Sequence, residues 1–174
     1  MRNGFLALAF CCLPLATSSC GYHVGGHTDA LPKTIKTIAI PPLSNLTARY
    51  KLNQLLTTDI SREFIARTRY QVVSDANQGD AILSDGVINF LSYPTVFDPV
   101  SGRASGVQVI VYLQLTLTDR KTGEVIFNRP NMEVRERYEI SVDPKAYFDE
   151  SGPAMTRLSQ DVARSVVSAI LENF

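Results

Sequence analysis

One thiol in this chain is placed for a specific chemistry. In LATSSCGYHVGG, residues 15–26, an apolar stretch gives way to small polar residues, a single cysteine and glycines. Ser18 and Ser19 directly before Cys20 suit a thiol that is first given a diacylglycerol and then becomes the new N-terminus after cleavage. Ahead of them Arg2 supplies a positive start, and residues 5–16 (FLALAFCCLPLA) form an apolar run of secretory length that is too short to span a bilayer. Residues 1–19 therefore read as a signal peptide and Cys20 as a lipid attachment site.

The stretch resembles a bacterial lipobox, with Thr17 standing where an aliphatic residue is usual. The alternative is a soluble secreted protein with a free thiol, which is a liability in an oxidising compartment. Cys11 and Cys12 lie in the removable segment, so a mature chain would keep Cys20 alone and form no internal disulfide. Gly21 after the cysteine agrees with sorting to the outer membrane, because an aspartate there would signal inner-membrane retention.

Other reactive groups are sparse. His23 and His27 stand four apart, but zinc needs further ligands, and the sequence has no other histidine. The pair Asp149 and Glu150 suits a solvated first helical turn. There is no G-x-S-x-G and no phosphate-binding G-x-x-x-x-G-K. The expectation is a protein that is not an enzyme, with no metal and no cofactor beyond the covalent lipid on Cys20. Residues 1–19 hold one base and no acid, so 17 bases and 17 acids become 16 and 17 without them. Near neutrality speaks against a nucleic-acid partner.

The elements that must position any site follow from periodicity. Residues 20–34 read as a lipidated N-terminus and tether, rich in glycine and small polar residues, and 35–174 as a single α+β domain. IKTIAIPP (35–42) reads as a strand stopped by prolines, and SNLT (44–47) offers helix caps. Leu52, Leu55, Leu56, Ile60 and Phe64 recur at three- and four-residue steps, which predicts an amphipathic helix ending near 67–69. YQVVSD (70–75) is a short strand followed by a turn at NQG. Two long strands are predicted at 81–97 and 107–119, joined by a hairpin loop at 98–106.

The second long strand places Val107, Val109, Val111, Leu113, Leu115 and Leu117 on one face. Gln108, Ile110, Tyr112, Gln114, Thr116 and Thr118 share the other, which could meet water or a partner. A tight turn at 120–123 leads into EVIFNRPNMEVRERYEI. Asp143 and Pro144 start a last helical region, Gly152 and Pro153 interrupt or restart it, and Met155, Leu158, Val162, Val166, Ala169 and Ile170 form its stripe. The predicted architecture is a two-layer α+β sandwich: two amphipathic helices on one face of a mostly antiparallel sheet with two long central strands.

With these residues read, CGY, TIAIPPLSN, LNQLLTTDISREFIARTRYQVVSD, DAILSDGVINF and VYLQLTLTDRKTGEVIF, in this order, resemble the LptE family of outer-membrane lipopolysaccharide-assembly lipoproteins. The resemblance implies a protein on the periplasmic face of the outer membrane, lipid-anchored there. It would plug and help assemble the β-barrel translocon protein of the LptD type and contact lipopolysaccharide on its way to the outer leaflet. It also implies lipopolysaccharide-binding cations in the long hairpin and near the start of the last helix, places held here by Arg103 and Lys145. Tyr93, Val96 and Phe97 are the expected partner-binding anchors, unless they finish the core at the sheet's end. The alternative reading is a periplasmic lipoprotein interaction module, of the secretion-channel or cell-wall-synthase-activator type, without lipopolysaccharide.

Overall fold

A computed structural model describes residues 31–140 and 151–172. The elements are β1 (Thr37–Ala39), β2 (Ser44–Asn45), α1 (Leu52–Arg67), β3 (Gln71–Val73), β4 (Ala81–Phe97), β5 (Ala104–Asp119), β6 (Val125–Glu139) and α2 (Ser151–Glu172). They form one sheet in the order β3-β1-β4-β5-β6, with β2 added against β4. β4, β5 and β6 are antiparallel over their lengths, while β1 pairs in parallel with β3 and β4. α1 is the crossover that makes β1 and β3 parallel neighbours, since parallel strands cannot be joined by a tight turn.

The predicted sandwich is what forms. Val109, Val111, Leu113, Leu115 and Leu117 of β5 are fully buried, and share one core with Leu56, Ile60 and Phe64 of α1 and Leu158, Val162 and Val166 of α2. Leu52 and Leu55 of α1 face Met155 of α2, and Arg67 donates to the Ser168 hydroxyl at 2.8 Å. The helices therefore run parallel, with both N-termini at one level. Leu31, assigned to the tether, is instead buried with the core, so any tether ends before it.

SNLT does not cap α1. Ser44 and Asn45 pair with Gly86 and Val87 of β4, and the Asn45 amide turns the chain by accepting from Thr47 N–H and donating to the Arg49 carbonyl. The residue before α1 is Lys51, in the left-handed region at φ 63°, without a side-chain cap. The described part of α2, Ser151–Glu172, contains Gly152 and Pro153, so the helix runs through both rather than restarting after them. Asp143 and Pro144 lie outside the described residues.

The two long open edges, along β6 and along β4 beyond Val87, are blunted. β6 carries Arg129, Glu133, Arg135, Arg137 and Glu139, with Pro130 in a bulge opposite β5. Beyond Val87 no described residue pairs with the outer edge of β4. There the N–H of Phe90 donates to Asn89 Oδ1 at 2.8 Å and Pro94 has no N–H. Phe90 and Pro94 have the same strand parity, and a proline within a ladder directs its missing donor away from the partner strand, so both positions face the open edge.

Carboxylates fasten the turns. Asp80 Oδ2 accepts from Lys36 N–H at 3.0 Å and Thr37 N–H at 3.1 Å, and Asp119 Oδ1 accepts from Thr122 N–H at 3.0 Å and Lys121 N–H at 2.7 Å. These donors favour the ionised form, so both carboxyls lie below their ordinary range, as do Asp75 and Asp98 for the same reason. On acidification the unfolded chain takes up protons first, so this stability is present above about pH 4 and lost as pH falls through the lower folded values. Urea midpoints are expected to be flat from pH 7 to 5 and to fall below pH 4. Asp80→Asn should flatten part of that fall.

Candidate functional site

The sheet outruns its helices. At about 3.3 Å per residue β4 is roughly 56 Å long, while α2 at 1.5 Å per residue is about 33 Å. The surplus lies at the β4–β5 turn, where every residue from Leu91 to Phe97 is exposed. Tyr93, Val96 and Phe97 are 41%, 49% and 57% exposed, so they do not finish the core. Tyr93 and Val96 pair with Gln108 and Gly106, which alternate with the helix-covered Val107 and Val109, so they lie on the sheet face that carries no helix.

The turn at the tip is tighter than the sequence suggested, because β5 starts at Ala104. Asp98 Oδ1 accepts from the Ser101 hydroxyl and the Ser101 N–H, both at 2.6 Å, and from Val100 N–H at 3.2 Å. Asp98 N–H donates to the Arg103 carbonyl at 2.9 Å, and Gly102 takes the left-handed conformation at φ 65°. The Asp98 carboxylate is thus spent on its own loop, and the Ser101 donors hold it below its usual range. Arg103 stands exposed beside it, with no carboxylate partner among the described residues.

Lys145 and Cys20 lie outside the described residues, so the structure does not bring either to Arg103. Among the described residues no helix is long and apolar enough to cross a membrane.

Behind the tip, the sheet face away from the helices has aromatic and charged rows set by register: Tyr93–Gln108–Arg137, Leu91–Ile110–Arg135 and Asn89–Tyr112–Glu133. Ile110 is buried under its neighbours although its face is uncovered by helix. Arg135 pairs with Glu133, which lowers that carboxyl and raises the guanidinium, and the Tyr112 hydroxyl adds a hydrogen bond to Glu133. The sequence reading did not single out Glu133, Arg135 and Arg137, although their two-residue spacing in EVRER puts them on one strand face. This arrangement can bury an aromatic and aliphatic tip and offer cations and hydrogen bonds along a rigid face.

Against known proteins, a family model described as LptE: Lipopolysaccharide-assembly matches residues 35–170. A search of curated protein sequences finds no match. Among solved structures the chain is similar to lipoprotein B of Nitrosomonas europaea, with TM-score 0.55 and 17% identity over 82% of this chain and 86% of that one. It is similar to a minor lipoprotein of Acinetobacter baumannii, with TM-score 0.51 and 17% identity over 79% and 92%. A PelC dodecamer from Paraburkholderia phytofirmans matches with TM-score 0.50 and 15% identity over 78% and 87%. At these identities the structural matches speak for the fold alone.

Proposed function

This chain belongs to the lipopolysaccharide-assembly family LptE, and from that premise we propose that it is a lipoprotein anchored through Cys20 at the periplasmic face of the outer membrane. There it plugs and helps assemble a β-barrel translocon of the LptD type and contacts lipopolysaccharide during delivery to the outer leaflet. The observation that carries this reading is the β4–β5 tip, which projects past the helices with Tyr93, Val96 and Phe97 exposed and Arg103 unpaired among the described residues. Apolar anchors beside a polar, charged sheet face suit insertion into a water-lined lumen better than a uniformly apolar surface would. Arg103, joined by Lys145, is the cation proposed to meet phosphates, because a guanidinium can engage phosphate through two parallel hydrogen bonds.

Photo-crosslinkers at Val96 and Arg103 are expected to trap one large barrel protein. In the same cells Arg103→Glu with Lys145→Glu should lower lipopolysaccharide capture while leaving the circular dichroism spectrum and the barrel complex unchanged. Crosslinks only to another copy of this chain would favour the channel-type module instead.

A further inference from the structure

We infer that a groove between the segment leading into α1 and the first turns of α2 holds a phosphorylated sugar of lipopolysaccharide's lipid A together with one of its acyl chains, at a site separate from Arg103. The inference rests on the reading of lipopolysaccharide as the ligand. The groove encloses about 500 Å³. Leu52, Leu55 and Met155 give its lining an apolar floor, and Arg49, Tyr50, Lys51 and Ser151 line it with polar groups. Among the described residues no acidic one lines it.

Both cations are held by rings rather than by acids. The Arg49 guanidinium sits 5.1 Å from the centre of the Phe90 ring, and Lys51 Nζ sits 5.2 Å from that of Tyr50. Neither has an ion-pair partner among the described residues. A cation over a ring face is positioned while its N–H groups stay available. The backbone beneath is fixed: Asn45 donates to the Arg49 carbonyl at 2.8 Å, and Arg49 N–H donates to the Thr47 hydroxyl at 3.2 Å. Tyr50 is 83% exposed, so its ring extends the apolar surface outward from the floor.

Charge and shape then select the occupant. Among the described residues the lining offers two positive charges and no negative one, which calls for an anion, and its aliphatic side chains and thioether call for hydrocarbon. An acidic peptide would match the charge, but it would lay backbone polar groups against Leu52, Leu55 and Met155, whose side chains offer them no hydrogen-bond donor. An acyl chain along Leu52, Leu55 and Met155, with the phosphate of the sugar that carries it between Arg49 and Lys51, satisfies both demands.

The test uses the full-length lipoprotein in nonionic detergent, titrated with bis-phosphorylated lipid A, its dephosphorylated form and phosphatidylglycerol. Wild type is expected to bind phosphorylated lipid A about tenfold or more tighter than the dephosphorylated form. Arg49→Gln with Lys51→Asn should lose about tenfold or more, since each cation contributes charge-assisted hydrogen bonds. Met155→Glu, which places a carboxylate on the floor, should lose as much. Arg49→Gln replaces an exposed side chain and asparagine tolerates the left-handed conformation of residue 51, so circular dichroism should be unchanged. If wild type captures lipid A and both folded variants capture it equally well, the groove is overturned while the lipopolysaccharide reading stands. If wild type captures none, both fall together. Equal binding of phosphatidylglycerol overturns the choice of glycolipid.

Discussion

Gly86→Val is expected to lower the thermal midpoint by about 10 °C or more. A Cβ added at Gly86 would overlap the carbonyl oxygen of Ser44 and lie 2.6 Å from the Ser44 nitrogen and 2.8 Å from its carbonyl carbon. Every obstacle is backbone, so no rotamer change relieves the clash. β2 would have to leave β4, breaking the Ser44–Gly86 and Asn45–Val87 pairing and the bond from Leu46 N–H to the Val87 carbonyl at 2.9 Å. Buried Leu43 would be drawn out with it, along with its N–H bond to the Thr57 hydroxyl. A loss of about 4 kcal/mol is in the range of the largest single-residue effects, and in a domain of this size corresponds to roughly 10 °C. Gly152→Ala is the control: a Cβ there meets nothing within 4 Å, and the midpoint should stay within a degree or two. A Gly86→Val domain that melts with wild type would show that β2 adds nothing to the fold.

The same crossing shows where sequence reading stopped. β4 was legible at both ends, since Gly79-Asp80 and Asp98-Pro99 punctuate it and its composition changes there. β5 begins three residues earlier than its alternation suggested, because Ala104, Ser105 and Gly106 have little strand preference and are paired by closure of the Asp98–Arg103 loop. Ser44 and Asn45 have the composition of helix caps, and only the approach of β4 at Gly86 turns them into a strand. Strands of three residues carry no readable period, so the order β3-β1-β4 could not be seen in advance.

For the candidate site, residue types identified Tyr93, Val96 and Phe97 but not their surroundings. Their exposure depends on which face of the sheet the two helices cover, and that is set by α1, nearly thirty residues upstream, and α2, more than fifty downstream. Arg49 and Lys51 gave no signal because their groove is completed by Met155, about a hundred residues downstream.

Cys20→Ser is expected to abolish membrane attachment. A serine cannot form the thioether, so the chain should remain unprocessed or be released in soluble form. Each buried methylene of an acyl chain contributes about 0.8 kcal/mol, so an anchor with three chains holds firmly where a single chain is marginal. Fractionation should find wild type almost wholly with membranes, and mass spectrometry should find Cys20 modified at the mature N-terminus. Recovery of an unmodified Cys20 there would end the lipoprotein reading.

The blunted edges of β4 and β6 bear on life at a surface. Molecules tethered to a membrane share two dimensions, and tethering raises the effective concentration at which like surfaces meet. A sheet with two open edges held at such a density would meet copies of itself long before it met a less abundant partner. Asn89 and Pro94 on one side, and alternating charge with Pro130 on the other, make those collisions unproductive. On the proposed anchoring through Cys20, the chain would accumulate ahead of its partner as separate folded molecules, and the timing of assembly would pass to the partner's arrival.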